Sequence, residues 1–383
     1  MWHQAHWAAW GRHDLLDRSN RYYFSVLEAA ESYAKMQGFD GARWYLLRQT
    51  FLLILSPSES TDLFCGDRFK MRAEKTNVVW TGPSSVGPLL LQEQPHPIVY
   101  AELAYRWAGS AARREAVLRQ WARIVDSTAT FMASFALRAK GFPTRGCLNL
   151  GPPMLPGMGV EGGDPGNEMN YSHTLNSVYE NTYWRWGLEL AQRWRERAGL
   201  EREAGWTEVT ESLCYPRVRE WNGTAVYFFD DSTATLLGGS STLGQIYACG
   251  HIPCLDYRID KSVMLSTIVS SLAEVRRTGS GAGFSSDFFD YAMAAARLGQ
   301  NELAIDLLVN VSGSSTYNPL NGLWSGGGGP ATGILPLFTP SNGCLLLAVA
   351  MLAGGWDGDG GRAAPGFPGA GWAVRAEGFG ILF

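Results

Sequence analysis

DLLDRSNRYYFSVLEAAESYAKM (14–36) and AARREAVLRQWARIVDSTATFMASFALRA (111–139) decide the fold class. In the first, Leu16, Tyr23, Val26, Leu27, Ala30, Tyr33 and Ala34 recur at steps of three and four; in the second, Leu118, Trp121, Ile124, Val125, Thr128, Phe131, Met132 and Phe135 do. That period puts one apolar stripe on a helix and fits no strand. Gly38 stops the first helix, and Pro97 suits the first turn of another over 97–108. Working outward, the same reading predicts helices over 176–198, 205–220, 258–276, 287–299, 301–310 and 342–353. Between them lie Gly/Pro-rich loops at 141–168, 278–286 and 313–341, and TAVYFF (224–229) is the best of few strand signals. Many helices joined by long loops predict an all-α toroid rather than a bundle, whose connections are shorter. No fixed-period repeat argues for a solenoid.

Composition narrows the function classes. The 383 residues are 46% hydrophobic and only 18% charged, which excludes disorder as the main state. A net charge of −4 without a basic cluster argues against nucleic acid as a partner. The longest apolar runs, 45–55 with Arg48 inside it and 345–355, are too short to span a membrane. MWHQAHWAAWGRHDLLDRS has neither the basic nor the apolar region of a signal peptide, so localisation stays open. Six cysteines, at 65, 147, 214, 249, 254 and 344, form no CxxC pair, and scattered buried thiols are expected. Three sequons begin at Asn170, Asn222 and Asn310.

No phosphate loop, dinucleotide fingerprint, zinc-binding HExxH or nucleophile elbow occurs, and no cofactor or metal is expected. GGSSTLG (238–244) and GGGG (326–329) read as loops, and His3 and His6 lack a nearby carboxylate that would make them a ligand set. What remains is carboxylates beside aromatics at helix starts. Glu102 lies in QEQPHPIVYAELAYRW (92–107), and Glu180 in NSVYENTYWRWGLEL (176–190) with Trp184, Gly187 and Ala191 on its face. Asp287 and Asp290 lie in FSSDFFDYAMAAARLG (284–299). Glycoside hydrolysis needs two carboxyl groups in opposed protonation states and flat rings on which sugar C–H groups stack. The competing structural readings are a helix cap for Asp287 and an i,i+4 partner of Arg106 for Glu102.

In order along nearly the whole chain, HWAAWGRHDLLDRS (6–19), DGARW (40–44), QEQPHPIVYAELAYR (92–106), LGPPM (150–154), NSVYENTYWRWGL (176–188), DYAMAAARLGQNELAIDLLV (290–309), PSNGCLLLAVAMLAGGWDG (340–358) and APGFPGAGWAVRAEGF (364–379) resemble the six-hairpin glycosidase superfamily, near the trehalase and maltose phosphorylase group. The resemblance implies an (α/α)6 barrel with its active site at the loop-bearing mouth. It implies a general acid at Glu180 and a general base at Asp287 or Glu102, typically with inversion. Trp7, Trp10, Arg43, Trp44, His96, Trp184, Arg185 and Asn342 are the expected sugar-contacting residues, and the expected partner is an oligosaccharide or glycoside.

The sequence departs from the family pattern in places. DGARW should run into a Lys-Met pair, but Lys70-Met71 follows only after 45–69, which reads as an insertion. The family's N-terminal β-sandwich is missing, so one barrel domain over 1–383 is expected, with 355–383 wrapping against it. A non-catalytic sugar-binding barrel is the alternative in another class, keeping Trp7, Trp10, Trp44 and Trp184 without a working acid–base pair. Phosphorolysis would need an anion pocket, for which SSTLG (240–244) offers hydroxyls. An isoprenoid-cyclase-like toroid would need an Asp-rich motif, and only Asp230-Asp231 is available.

Overall fold

Helices form where the apolar period predicts them. The computed structural model describes residues 1–44, 90–138, 146–152, 154, 174–237, 243–253, 259–278, 285–310, 316–318, 322–325, 337–380, 382 and 383. The 45–69 insertion, the sequon at Asn170, Cys65, Cys254 and both Gly-rich motifs except Leu243 and Gly244 lie outside these residues. The helices are α1 (Ala5–Ala9), α2 (His13–Met36), α3 (His96–Arg106), α4 (Ala111–Arg138), α5 (Val178–Arg197), α6 (Ala204–Ser212), α7 (Lys261–Thr278), α8 (Ser285–Arg297), α9 (Asn301–Val309) and α10 (Thr339–Gly354), with a 3₁₀ helix at Gly244–Cys249. Their ends have local causes. After α2, Gly38 takes φ +79° and the Phe39 N–H bonds back to the Ala34 carbonyl at 2.9 Å. Glu203 caps α6 by accepting from the Trp206 N–H, and Asp260 caps α7 by accepting from the N–H groups of Ser262 and Val263.

Burial sorts the helices into two layers. Every residue of α8 from Ser285 to Ala296 is buried, and so are fifteen of the twenty in α5, which marks helices enclosed on all sides. In α2 only one face, Leu16, Asn20, Tyr23, Leu27, Ala30 and Ala34, is covered. The inner elements close a ring: α1 packs on α3, α3 on α5, α5 on the 3₁₀ helix, that helix on α8, α8 on α10, and α10 back on α1. Each inner element except α10 is followed by an outer helix, respectively α2, α4, α6, α7 and α9. After α10 the chain runs as coil, with Gly366 bonded to Leu352, Pro365 and Phe367 to Asn301, and Gly380 to Ala9. This is an (α/α)6 toroid. Where α10 meets α1 a glycine is required, because a Cβ on Gly343 would stand 2.1 Å from the Trp2 carbonyl oxygen.

Three expectations are corrected. The helix read over 205–220 ends at Ser212, and Val218–Trp221 (β1) pairs antiparallel with Thr224–Tyr227 (β2). Pro216 cannot continue a helix, and Asn222 and Gly223, both at positive φ, make the tight turn that suits a hairpin. A second hairpin, Thr316–Asn318 (β3) with Leu323–Ser325 (β4), lies inside the stretch read as loop. The cysteines are not scattered thiols either. Cys147 and Cys214 are joined, Cys249 is also disulfide-bonded, and Cys344 is free and buried. The coil after α4 pairs with the coil after α6 through Leu148 and Ser212 at 2.7 Å and Cys214 and Leu148 at 2.8 Å, which brings the two Cα atoms to 5.0 Å. Residues 67 apart in sequence give no local sign of this. Closing a loop of that length is worth about 4 kcal/mol in the chain-entropy account. The C147A/C214A double variant is therefore expected to unfold at clearly lower denaturant concentration, and an unchanged unfolding free energy would count against the bond.

Candidate active site at the N-terminal ends of the inner helices

The inner helices α3, α5, α8 and α10 run the same way round the ring. His96, at the start of α3, lies 3.0 Å from the Tyr183 hydroxyl near the start of α5, whereas Glu102 meets Trp194 and Arg197 near the end of α5. Ser285 and Ser286, opening α8, bond to the Ser341 hydroxyl in the first turn of α10 at 2.6 and 3.0 Å. One end of the toroid thus gathers four helix N-termini, whose dipoles favour negative charge.

Glu180 and Asp287 both lie at this end, each the third residue of its helix and each fully buried. Glu180 accepts a hydrogen bond from the Ser177 hydroxyl. The entry to α5 is fixed by Asn176, held at φ +55°. Its amide oxygen accepts from the Leu150 N–H at 3.0 Å, and its amide nitrogen donates to Asn149 and Asp231 at 2.8 and 2.9 Å. Asn181 donates to the Cys214 carbonyl at 3.0 Å, so the disulfide loop braces the turn that carries Glu180.

Asp287 accepts a 2.6 Å hydrogen bond from the Tyr247 hydroxyl. Tyr247 stacks on Tyr291 at 5.9 Å and meets Trp2 and Tyr179 edge-on at 5.3 and 5.4 Å, which leaves its ring one orientation. Burial, and then the charge of Asp287, pushes the Tyr247 hydroxyl well above its ordinary range, so it stays a donor. Tyr179, next to Glu180 in sequence, therefore touches the ring that holds Asp287.

Below the carboxylates the axis is filled by a polar aromatic cluster. Trp2 donates to Asp290 at 2.7 Å, His251 bonds the same carboxylate, and the other ring nitrogen of His251 lies 3.1 Å from the Tyr179 hydroxyl. Gly250 is needed here, because a Cβ would overlap the Asp290 carboxylate. Sequence reasoning placed Asp290 one turn past Asp287 but gave no role to Trp2, Tyr179, Tyr247, His251 or Tyr291. Their spacing carries no motif; the one signal is the density of aromatic and polar side chains on helices with no exposed face.

Glu102 does not join this end. Its fully buried carboxylate takes hydrogen bonds from Arg106 (3.0 Å), from both terminal nitrogens of Arg197, and from Trp194 Nε1 (3.0 Å). Trp194 and Arg197 come fourteen and seventeen residues after Glu180 on one helix, a rise of roughly 21–25 Å. An inverting pair stands about 6.5–9.5 Å apart. The structure does not bring Glu102 together with Glu180 and Asp287: its i,i+4 pairing with Arg106 is part of a larger ion cluster toward the other end of α5.

Most of the expected sugar contacts are occupied within the protein. Trp184 donates to the Leu91 carbonyl at 2.8 Å and packs on Phe131 and Phe135 between the layers. Arg185 donates to the carbonyls of Thr210 and Leu213, and its guanidinium lies over Tyr215. Trp44 donates to Thr128 at 2.8 Å, and Arg43 binds Gln37 with its guanidinium over Phe131. Asn342 ties α10 to β4 through both backbone groups of Trp324. Trp10 donates to Leu346 and meets Phe379 edge-on. Trp7 is partly buried against the His6 ring. His96 is partly exposed at the carboxylate end, and burial, more than the positive groups around it, pushes its imidazole well below the usual range and keeps it neutral.

Among the described residues no group of three or more His, Cys, Asp or Glu side chains could hold a metal ion, and no helix is long and apolar enough to cross a membrane. No family model matches the sequence, and no curated protein matches it. Fold and site together define an all-helical, toroid-like protein whose packing is consistent with the six-hairpin superfamily, with two buried carboxylates at the shared end of its inner helices.

Proposed function

We propose that this protein is a carbohydrate-active enzyme, a glycoside hydrolase that uses Glu180 as general acid and Asp287 as general base. The observation that carries the reading is that these two carboxylates, of the three expected, sit in the first turns of two inner helices at one end of the ring. The O–H of Tyr247 donates to Asp287 and fixes the orientation of its carboxyl group, which a positioned base needs. The Ser177 hydroxyl can donate or accept, so it serves Glu180 both protonated and ionised, as an acid that cycles requires.

In the single displacement, Glu180 gives its proton to the glycosidic oxygen as the C1–O bond breaks. Asp287 takes a proton from the water whose oxygen bonds C1 from the opposite face, and the released sugar has inverted configuration. His96 keeps a place in this reading as a neutral sugar contact at the same end.

Turnover of a panel of aryl glycosides and oligosaccharides, with the first-formed anomer read by NMR, tests the class. Phosphate-dependent turnover would shift the reading to phosphorolysis, and saturable binding without turnover would replace it with a sugar-binding barrel. Tyr247→Phe keeps the ring packing and removes one hydrogen bond to a charged group, worth about 1.5–3 kcal/mol. The expected result is a kcat lower by roughly ten- to a hundredfold with KM little changed. An equal rise in KM at constant kcat would place Tyr247 outside the reaction.

A further inference from the structure

Among the motifs outside the reaction is the sequon Asn222-Gly223-Thr224. We infer that Asn222 is an N-glycosylation site and that the folded protein carries a glycan at the tip of the β1–β2 hairpin. Asn222 and Gly223, at φ +49° and +77°, form the two-residue turn between Trp221 and Thr224, and residues 222 to 225 are all exposed. Neither the Asn222 amide nor the Thr224 hydroxyl has a side-chain hydrogen bond among the described residues, so a bulky hydrophilic group there displaces no packing.

The sequon alone would be weak, since such triplets arise by chance. The disulfides are the independent observation. Cys147–Cys214 and the disulfide-bonded Cys249 belong to a chain that matures in an oxidising compartment, and N-glycans are added in such a compartment. The disulfide also lies close by in the chain, because only three residues separate Cys214 from the start of β1. The sequon at Asn310 differs in that its amide already donates to Asp306 at 2.6 Å at the end of α9.

In the transfer step the Asn222 side-chain nitrogen forms a bond to C1 of an oligosaccharide carried on a lipid pyrophosphate. The C1–O bond to that pyrophosphate breaks, the pyrophosphate leaves with the bonding pair, and the amide gives up one proton. The lipid-linked oligosaccharide is the co-substrate, and no oxidant or reductant enters.

The test passes the full chain through the secretory pathway of a yeast and releases its glycans with an amidase in ¹⁸O-labelled water, which converts each occupied Asn to a labelled Asp. The expected result is label at Asn222 in protein whose Cys147 and Cys214 resist alkylation. Asn222→Gln and Thr224→Ala should each remove one glycan mass step, whereas Thr224→Ser and Asn310→Gln should keep the Asn222 label. An unlabelled Asn222 peptide in disulfide-bonded protein overturns the inference. So does a chain retained in the cell with Cys147 and Cys214 free to alkylate.

Discussion

Glu180→Gln is expected to lower kcat by roughly a hundred- to ten-thousandfold, the usual worth of a positioned general acid or base. The substitution keeps the shape, and an amide can still bond the Ser177 hydroxyl, so the entry to α5 through Asn176, Asn149 and Asp231 is left intact. The loss should therefore appear in turnover and not in the thermal midpoint. The role itself is tested by leaving group. If Glu180 protonates the departing oxygen, a dinitrophenyl glycoside, which leaves without a proton, should retain far more of its rate than an alkyl glycoside. Asp287→Asn should slow both alike. Unchanged turnover in Glu180→Gln, on any substrate the unmodified protein cleaves, would remove the acid assignment.

The second large effect is expected at the other end of the ring and in stability alone. Glu102 binds Arg106, Arg197 and Trp194 with no exposure to water, and Arg106 passes the charge on to Asp357 at 2.7 Å. Glu102→Gln removes the charge that two arginines face; both guanidiniums are about a quarter exposed and Arg106 keeps Asp357, so the cost falls below the ~3–5 kcal/mol of breaking a wholly buried pair. The expected result is a much lower unfolding free energy, with kcat per folded molecule unchanged. A fall in kcat at unchanged stability would return Glu102 to the reaction.

The acid dependence follows with its sign. Burial raises the Glu102 carboxyl, but the hydrogen bond and charge of Arg197, with Arg106, outweigh it and hold the group below its ordinary value. The unfolded chain then binds the proton first. The stability from this site is full above the ordinary carboxyl range, near pH 4.5, and is lost as pH falls through the depressed native value. Acid titration of the unfolding free energy should show this step in the unmodified protein and not in Glu102→Gln.

Much of the fold was legible because helix formation follows a local period. The readings of 14–36 and 111–139 fall within one residue of α2 and α4, since a stripe at 3.6 residues needs only neighbours to be seen. The failures are where a local pattern met a distant partner. Val218–Trp221 carries residues that a helix could use, but Pro216 and the Asn222-Gly223 turn commit it to a strand against Thr224–Tyr227. Aromatic character at Trp44 and Trp184 is visible in sequence and their buried partners are not; Thr128 and the Leu91 carbonyl occupy their N–H groups.

By itself the sequence determined that this chain makes apolar-striped helices with carboxylates in their first turns, and that it needs a closed all-helical packing to bury faces as complete as those of α5 and α8. Only the tertiary structure decided which carboxylates share an end. Glu102 and Glu180 look alike in sequence, each acidic, each on a helix, each followed by aromatics. Ring closure separates them by most of the length of α5, and it joins Trp2, Tyr179, Tyr247, His251 and Asp290, which lie far apart in the sequence. The reason is physical: helical period is set by bonds four residues apart, whereas side-chain partnership is set by how the six inner elements pack around one axis.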